Sequence, residues 1–129
     1  MAVTENSQLT LMSYIFHKFI ECGLTTSGQK FSVNYLGMFK TYYDRMLLIN
    51  VDFSINSAIN CLINVRKNLK KLKQNSVTFG GIYDDKIKVL EEAEVKIREY
   101  LRVKFKVAEI VEDNDEPEDD DDKFYGIII

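Results

Sequence analysis

The sequence predicts an all-α protein, a helix-turn-helix-like bundle of about five helices followed by an acidic tail. Along most of residues 7–101, apolar side chains recur at intervals of three and four, the spacing of a helix that buries one face. Glycines and hydroxyl residues divide this pattern into helix-length segments. With 129 residues, 46% of them hydrophobic, the chain can form one modest core. We therefore expect one helical domain over residues 1–108 and a tail over residues 109–129.

Three short helices are expected first, over residues 7–22, 27–36 and 41–48. Gly23 is a natural left-handed stop for the first of them. Thr26 or Ser27 can cap the second by accepting hydrogen bonds from its free N–H groups. Gly37 then interrupts that helix, and residues 50–54 predict a further turn and cap.

Two longer helices are expected over residues 54–73 and 84–100. The apolar stripe of the first consists of Ile55, Ile59, Leu62, Val65 or Arg66, and Leu69. The side chains of the second that are expected to face inward are Ile87, Leu90, Ile97 and Leu101. Residues 74–83, which include two adjacent glycines, predict a loop between these helices. Beyond residue 101, apolar and basic residues alternate as far as residue 107, which predicts a short strand or extended arm.

Charge is divided unequally along the chain. Residues 1–108 contain 16 Lys and Arg against 10 Asp and Glu, whereas residues 109–129 contain 10 acids and the single Lys123. The overall charge of −3 therefore combines a basic body with an acidic tail. A basic body attracts phosphate backbones, and a tethered polyanion competes for the same surface. This asymmetry indicates nucleic acid or a charged protein as the partner.

Residues 24–48 predict a helix-turn-helix-like unit, in which two short helices meet across a glycine turn. Its apolar side is expected from Phe31, Leu36 and Met38, with Tyr43, Met46 and Leu47 anchoring the second helix. Ser32 is small enough to let the helices approach closely. The side chains expected to face outward and contact DNA are Lys40, Thr41, Tyr42 and Arg45. Arginine suits guanine or phosphate, and threonine and tyrosine suit phosphate oxygens or a thymine methyl group.

The run FSVNYLGMFKTYY at residues 31–43 resembles the F-S-x-x-W/Y-L-G-x-x-x-x-Y core of small bacterial helix-turn-helix-like proteins, distant relatives of phage-repressor domains. The similarity spans residues 8–70, about half of the chain. Two features differ from the usual phage-repressor pattern: the spacing from Phe31 to Gly37 is one residue longer, and Ser32 stands where those proteins usually have alanine. The resemblance implies an all-α DNA-binding fold.

Five basic residues gather toward the expected end of the fourth helix: Arg66, Lys67, Lys70, Lys71 and Lys73. Of these, Lys67, Lys70 and Lys71 are predicted to add phosphate contacts to the DNA-binding surface. The alternative is an ordinary solvated helix end, because cations stabilise the C-terminus of a helix through its dipole.

The tail joins an acidic run to an apolar end. The residues predicted to contact a partner are Asp119, Asp120, Asp121, Asp122, Phe124, Tyr125 and Ile127. An acidic run often serves only solubility, but a polyanion can also imitate DNA phosphates, either on this chain's own lysines or on a basic protein partner. Large apolar side chains at a chain end favour docking into a groove or onto a strand edge.

Catalytic, metal-binding and cofactor-binding patterns are missing from the sequence. His17 is the single histidine and has apolar neighbours, and the chain contains no G-x-S-x-G or phosphate-binding glycine loop. Cys22 and Cys61 are too far apart to form a metal-binding or redox motif, so two reduced thiols are expected. Neither a signal peptide nor a membrane-spanning apolar run is found, and a soluble, cytoplasmic protein is expected.

Together these patterns predict a non-enzymatic DNA-binding regulator without a cofactor, whose acidic tail limits nonspecific binding to double-stranded DNA. A homodimer through the helix of residues 84–101 is expected, because one small helix contacts too few bases for tight specific binding. The alternative is a protein-interaction module, for example a phage-type inhibitor, a DNA mimic or an assembly adaptor. Such a module would act through the acidic tail and its apolar end.

Overall fold

A computed structural model describes residues 9–79 and 81–106, and within these ranges the chain is all-α with no strand. The helices are α1 (Leu11–Cys22), α2 (Gly28–Lys30) with a π-helical continuation (Phe31–Tyr35), α3 (Tyr42–Leu48), α4 (Ile55–Phe79) and α5 (Asp84–Phe105). The two long helices pack along each other, α1 packs on α5, and the α2–α3 pair lies against the first half of α4. The predicted all-α class is therefore confirmed.

The caps predicted for the short helices are present. Gly23 ends α1 in the left-handed conformation, with φ of 80°. The Ser27 side chain accepts a hydrogen bond from the Lys30 N–H at 3.2 Å and so caps α2. At the start of α4, Ser54 Oγ accepts the Ser57 N–H at 3.1 Å. These local contacts fix where each helix begins and ends.

The end of α2 widens into a π-helical turn. The Leu36 N–H donates to the Phe31 carbonyl at 3.1 Å, and the Met38 N–H donates to the Ser32 carbonyl at 2.9 Å. A π turn accommodates one residue more than an α turn. The widened turn covers Phe31–Tyr35 and ends at Leu36, directly before Gly37. Gly37 then reverses the chain with φ of 64°, and a Cβ at this position would lie 2.8 Å from the Asn60 side-chain nitrogen.

Helix α4 continues beyond its predicted end, so the loop expected over residues 74–83 is wrong for most of its length. Nothing in residues 74–79 breaks a helix, because glycine first appears at position 80. At the predicted end of the helix, Lys73 Nζ lies 3.2 Å from a Glu91 carboxylate oxygen of α5. The turn follows only at Gly81, which has φ of 84°.

The predicted strand after residue 101 is also wrong, because α5 continues to Phe105. The alternating residues belong to different helical faces: Leu101 is fully buried, whereas Val103 is 62% exposed. Phe105 lies one turn beyond Leu101 and packs edge-on against Tyr100, with ring centroids 5.8 Å apart. Lys106 ends the helix with φ of 59°. Local alternation over so few residues could not distinguish a strand from a helix that carries a buried stripe.

One buried core joins all the helices. Phe19 of α1 and Phe31 of the π turn are inaccessible to solvent and meet edge-to-face at 5.9 Å. The predicted stripes of the long helices are confirmed, with Ile59, Leu62, Val65 and Leu69 of α4 buried together with Leu90, Ile97 and Leu101 of α5. Every buried core residue in the described part of the chain lies between Met12 and Leu101. The helical domain thus contains its own core.

The segment between α3 and α4 is tied to both ends of the domain. The Asp52 carboxylate accepts the Leu11 and Met12 N–H groups, each at 2.9 Å, and so caps the start of α1. The carbonyl of the next residue, Phe53, accepts the Tyr100 hydroxyl at 2.8 Å near the end of α5. These bonds hold the segment that follows α3 close to the C-terminal end of α5.

Candidate nucleic-acid interface

A buried serine locks the α2–α3 pair together. Ser32 Oγ donates to the Gly28 carbonyl at 2.8 Å and accepts the Tyr43 N–H at 2.9 Å, and the residue is inaccessible to solvent. Helix α3 begins at Tyr42, so the Tyr43 N–H belongs to the first turn, which has no partner within the helix. Gly28 permits the close approach, because a Cβ there would lie 2.8 Å from an Asp44 carboxylate oxygen. The sequence prediction for Ser32 is confirmed.

We expect Ser32→Ala to lower the free energy of unfolding by about 1–3 kcal/mol, because it leaves the buried Tyr43 N–H without an acceptor. Chemical denaturation in urea measures this change. Thr26→Ala is the matched control: Thr26 is exposed, so its change should stay within about 0.5 kcal/mol. Equal stability of the two variants would show that Ser32 does not hold the helix pair together.

Helix α3 is anchored by aromatic packing. The Tyr43 ring is buried, with its centroid 4.4 Å from that of Phe16 and 5.4 Å from that of Phe31. Met46 packs against the core from the next turn of the helix. Leu47 was expected beside it, but it is 48% exposed, although it follows Tyr43 by one helical turn. Two of the three predicted anchors thus face the core.

Of the four side chains predicted to face DNA from this unit, three are exposed: Lys40, Thr41 and Arg45. The prediction for Tyr42 is wrong. Its side chain is only 8% exposed, and its hydroxyl lies 3.3 Å from Ser54 Oγ and 3.4 Å from Ser57 Oγ. The side chain of Tyr42 therefore points inward, toward Ser54 and Ser57 at the start of α4.

An aromatic ring supports Arg45. The guanidinium lies over the ring of Phe39, 5.8 Å from its centroid, and Phe39 in turn packs edge-to-face on Tyr42 at 5.6 Å. Phe39 itself is 55% exposed. The sequence analysis did not select Phe39, although an aromatic residue in a polar turn was the available signal. The contact orients the arginine while its N–H groups stay available to a ligand.

A row of asparagines connects α4 to the π turn. The Nδ2 groups of Asn60, Asn64 and Asn68 donate to the Leu36 carbonyl, the Tyr35 carbonyl and the Tyr35 hydroxyl at 3.0, 3.1 and 2.7 Å. Asn60 and Asn64 satisfy backbone carbonyls at the end of the π turn, which the helix cannot satisfy internally, and Asn68 binds the Tyr35 side chain. Burial raises the pKa of Tyr35 to about 12, so this hydroxyl stays protonated. The four-residue spacing of these asparagines was a signal that sequence reasoning missed.

The basic residues of α4 divide between two faces. Arg66 pairs with Glu94 of α5 at 2.8 Å, and Lys73, which is exposed, pairs with Glu91. Lys67, Lys70 and Lys71 are exposed as well. Because α4 continues to Phe79, its last turn contains no basic residue. The helix-dipole explanation for this cluster is therefore wrong. The exposed lysines lie about 15 to 21 Å along the α4 axis from Ser57, which contacts Tyr42.

A family model matches residues 12–106, from the first turn of α1 to the residue after α5. The chain belongs to a family of unknown function, DUF6626. No curated protein and no solved structure matches the chain. The match covers every helix described above and ends before the acidic tail.

This DUF6626 chain also has an exposed apolar surface that sequence reasoning missed. Leu47, Leu48, Ile49 and Val51, here called the 47–51 patch, are 48%, 85%, 61% and 44% exposed. They follow Arg45 directly, and Leu48 and Ile49 are its neighbours one helical turn along. Four consecutive or near-consecutive large apolar side chains at the surface indicate a docking surface more than chance exposure.

The tail, the predicted dimer helix and the two cysteines of this DUF6626 protein were the other features predicted from the sequence. The described residues do not include Lys123. They also do not include the residues predicted to contact a partner: Asp119 to Asp122, Phe124, Tyr125 and Ile127. The apolar face of the predicted dimer helix packs inside the chain, with its outer side exposing Val95 and Val103. Burial raises the pKa of the Cys61 thiol, and Cys22 is partly buried.

Neither a metal site nor a membrane-spanning helix occurs in the described part of the chain. Within residues 9–79 and 81–106, no three His, Cys, Asp or Glu side chains group to hold a metal ion. His17 Nδ1 lies 2.9 Å from the Ser13 carbonyl of its own helix. Over the same residues, none of the helices combines the length and apolarity needed to cross a bilayer.

Proposed function

We propose that this protein is a small DNA-binding regulator whose α2–α3 pair contacts double-stranded DNA through Lys40, Thr41 and Arg45. The observation that carries the proposal is Arg45, exposed on a helix whose start is locked by Ser32 and held over Phe39. An arginine of fixed orientation suits bidentate contact with guanine or phosphate. The resemblance of residues 31–43 to helix-turn-helix-like proteins supports the same function.

The lysines of α4 extend the surface. Lys67, Lys70 and Lys71 are exposed, and they lie about 15 to 21 Å along α4 from its contact with α3. The major groove is about 12 Å wide, so a helix in the groove leaves these lysines near the flanking phosphates. Phosphate contacts of this kind fix orientation and supply most of the nonspecific affinity.

Regulation follows from the rest of the chain. The acidic tail competes with DNA for the basic surface and limits nonspecific binding. Paired half-sites require two copies of the chain, and the outer side of α5, with Val95 and Val103 exposed, is the available dimer surface on the predicted helix. A single α3 of seven residues contacts too few bases for tight specific binding on its own.

A second function, that of a protein-interaction module, is favoured by the 47–51 patch. Exposed leucine and isoleucine side chains do not suit the phosphate backbone, whereas they suit an apolar partner. In that function the patch and the apolar end of the tail are the contact surfaces, and Arg45 contributes little. The two functions predict opposite effects for Arg45 and for the tail.

The proposed interface is tested by amide chemical shifts of the ¹⁵N-labelled full chain, titrated with a mixed-sequence duplex at low salt. We expect the largest shifts at Lys40 to Arg45 and at Lys67 to Lys71 on the exposed side of α4. Shifts on the outer side of α5, around Val95, are expected only from dimerisation and do not count as DNA contact. Shifts confined to α5, or to the 47–51 patch without Arg45, would contradict the proposed site.

A further inference from the structure

We propose that the 47–51 patch is the intramolecular docking site of this chain's own C-terminal segment, residues 124–129. The sequence of that segment, Phe-Tyr-Gly-Ile-Ile-Ile, supplies five large apolar side chains. The patch supplies four, of which Leu48 is 85% exposed. Apolar side chains at both places are stabilised by mutual burial, because it removes them from water.

The position of α5 favours docking within one chain. The Tyr100 hydroxyl donates to the Phe53 carbonyl at 2.8 Å, and their rings lie 5.8 Å apart. Lys106 follows Tyr100 by about 9 Å along the helix, and Val51 precedes Phe53 by at most about 7 Å. The tail therefore leaves the domain close to the patch.

The length of the tail is sufficient. Residues 107–123 separate Lys106 from Phe124, and 17 residues can reach at most about 56–61 Å, which exceeds the separation of Lys106 from the patch. Such a linker gives the segment an effective concentration near the patch in the millimolar range. At this effective concentration, even a weakly binding segment occupies the patch of its own chain in preference to that of a second copy.

Charge complementarity also favours docking at the 47–51 patch. Asp119 to Asp122 end two residues before Phe124, so docking of Phe124 brings these carboxylates within about 7 to 18 Å of the patch. Arg45 lies one helical turn from Leu48, and Lys40 precedes the same helix. Docking thus places the acidic run next to the basic residues that face outward from α3.

Docking also gives the tail a mechanism of regulation, and this part of the inference rests on the proposed function. With residues 124–129 on the patch, the carboxylates of Asp119 to Asp122 neutralise Arg45 and Lys40 and occupy the place of DNA phosphates. DNA has to displace the acidic run to bind. Docking of residues 124–129 therefore makes the tail compete with DNA at one defined site, in addition to repelling DNA through its net charge.

Disulfide trapping in the full chain tests the docking without DNA. The variant contains Leu48→Cys and Ile128→Cys in a Cys22→Ser background, so that the partly buried native thiol does not compete. Its matched control places the first cysteine at Val33→Cys, an apolar residue that is 51% exposed on the π turn and belongs to neither the patch nor the proposed dimer surface. Both substituted body residues are exposed, so the fold is retained. We expect the intrachain disulfide of the Leu48 variant to form at least about tenfold faster than that of the control.

The outcomes separate the possible occupants. Equal rates for the two pairs would overturn the proposal, and so would cross-linking only between chains, which assigns the patch to a second copy. The trapped and reduced forms are then compared for binding to a mixed-sequence duplex, where the trapped form should bind about tenfold more weakly. Equal DNA affinity of the two forms would overturn autoinhibition. Trapping without any DNA binding by either form would support docking and contradict only the proposed function.

Discussion

Arg45→Ala is expected to weaken duplex DNA binding about five- to tenfold at 0.1 M salt, because one phosphate contact contributes roughly that factor through counterion release. If Arg45 also reads a base, the loss on the preferred sequence should be larger, by about 1–3 kcal/mol for a bidentate pair. Fluorescence anisotropy with a labelled duplex measures both. The substitution should leave the fold intact, since Arg45 is exposed and α3 is anchored by Tyr43 and Met46.

Arg102→Ala is the control for Arg45→Ala. It removes the same charge from an exposed arginine near the end of α5, where the guanidinium pairs with Glu99. A general effect of net charge would weaken DNA binding equally in both variants. A specific role for Arg45 requires a clearly larger loss than Arg102→Ala causes. Equal losses would place the DNA contact elsewhere on the basic body.

Deletion of residues 109–129 is expected to strengthen duplex binding roughly tenfold at low salt, because it removes ten carboxylates and a single lysine. The truncated chain should still fold, since the core described by the structure lies between Met12 and Leu101. Circular dichroism of residues 1–108 confirms this before DNA binding is measured. Unchanged affinity after deletion would show that the tail does not compete with DNA.

The same two variants distinguish the regulator from a protein-interaction module. If the tail and the 47–51 patch are the effectors, deletion of residues 109–129 should abolish partner binding, whereas Arg45→Ala should leave it nearly unchanged. The regulator predicts the reverse for DNA: loss with Arg45→Ala and gain on deletion. Neither variant alone distinguishes the regulator from the interaction module, because each removes charge as well as a specific contact.

Much of the helix arrangement could be predicted from the sequence because local chemistry determined it. Gly23 and Ser27 end and begin helices by bonds to residues within four positions, and such signals are readable without the fold. The stripes of α4 and α5 were readable for the same reason, since leucine and isoleucine at helical spacing have to be buried. Ser32 was recognisable because a small residue in a helix pair indicates close approach.

The predictions that failed had different causes. Helix α4 is longer than expected because its sequence contains no glycine before position 80, and residues 101–105 are helical because they continue a buried stripe in which Leu101 is buried and Val103 is exposed. Tyr42 was assigned to DNA from its residue type, but Ser54 and Ser57, more than ten residues away, receive its hydroxyl in the folded chain. Sequence spacing alone does not contain these tertiary partners.

The candidate site was predictable in part. Charge and position identified Lys40, Thr41, Arg45 and the α4 lysines from the sequence. The aromatic ring that supports Arg45 was not identified. Phe39 acts on Arg45 through a ring face, a geometry that requires the turn at Gly37. The exposure of the 47–51 patch was missed because leucine and isoleucine near a helix end normally predict burial.

The most direct test of the DNA-binding claim is the salt dependence of duplex binding by residues 1–108, beside the full chain. If Lys40, Arg45, Lys67, Lys70 and Lys71 all neutralise phosphates, the slope of log affinity against log salt should be about −4.5. Affinity should then fall by roughly a few hundredfold between 50 and 200 mM salt, with weaker binding by the full chain throughout. The absence of binding by either form at 50 mM salt would contradict the claim and assign the protein to the interaction modules.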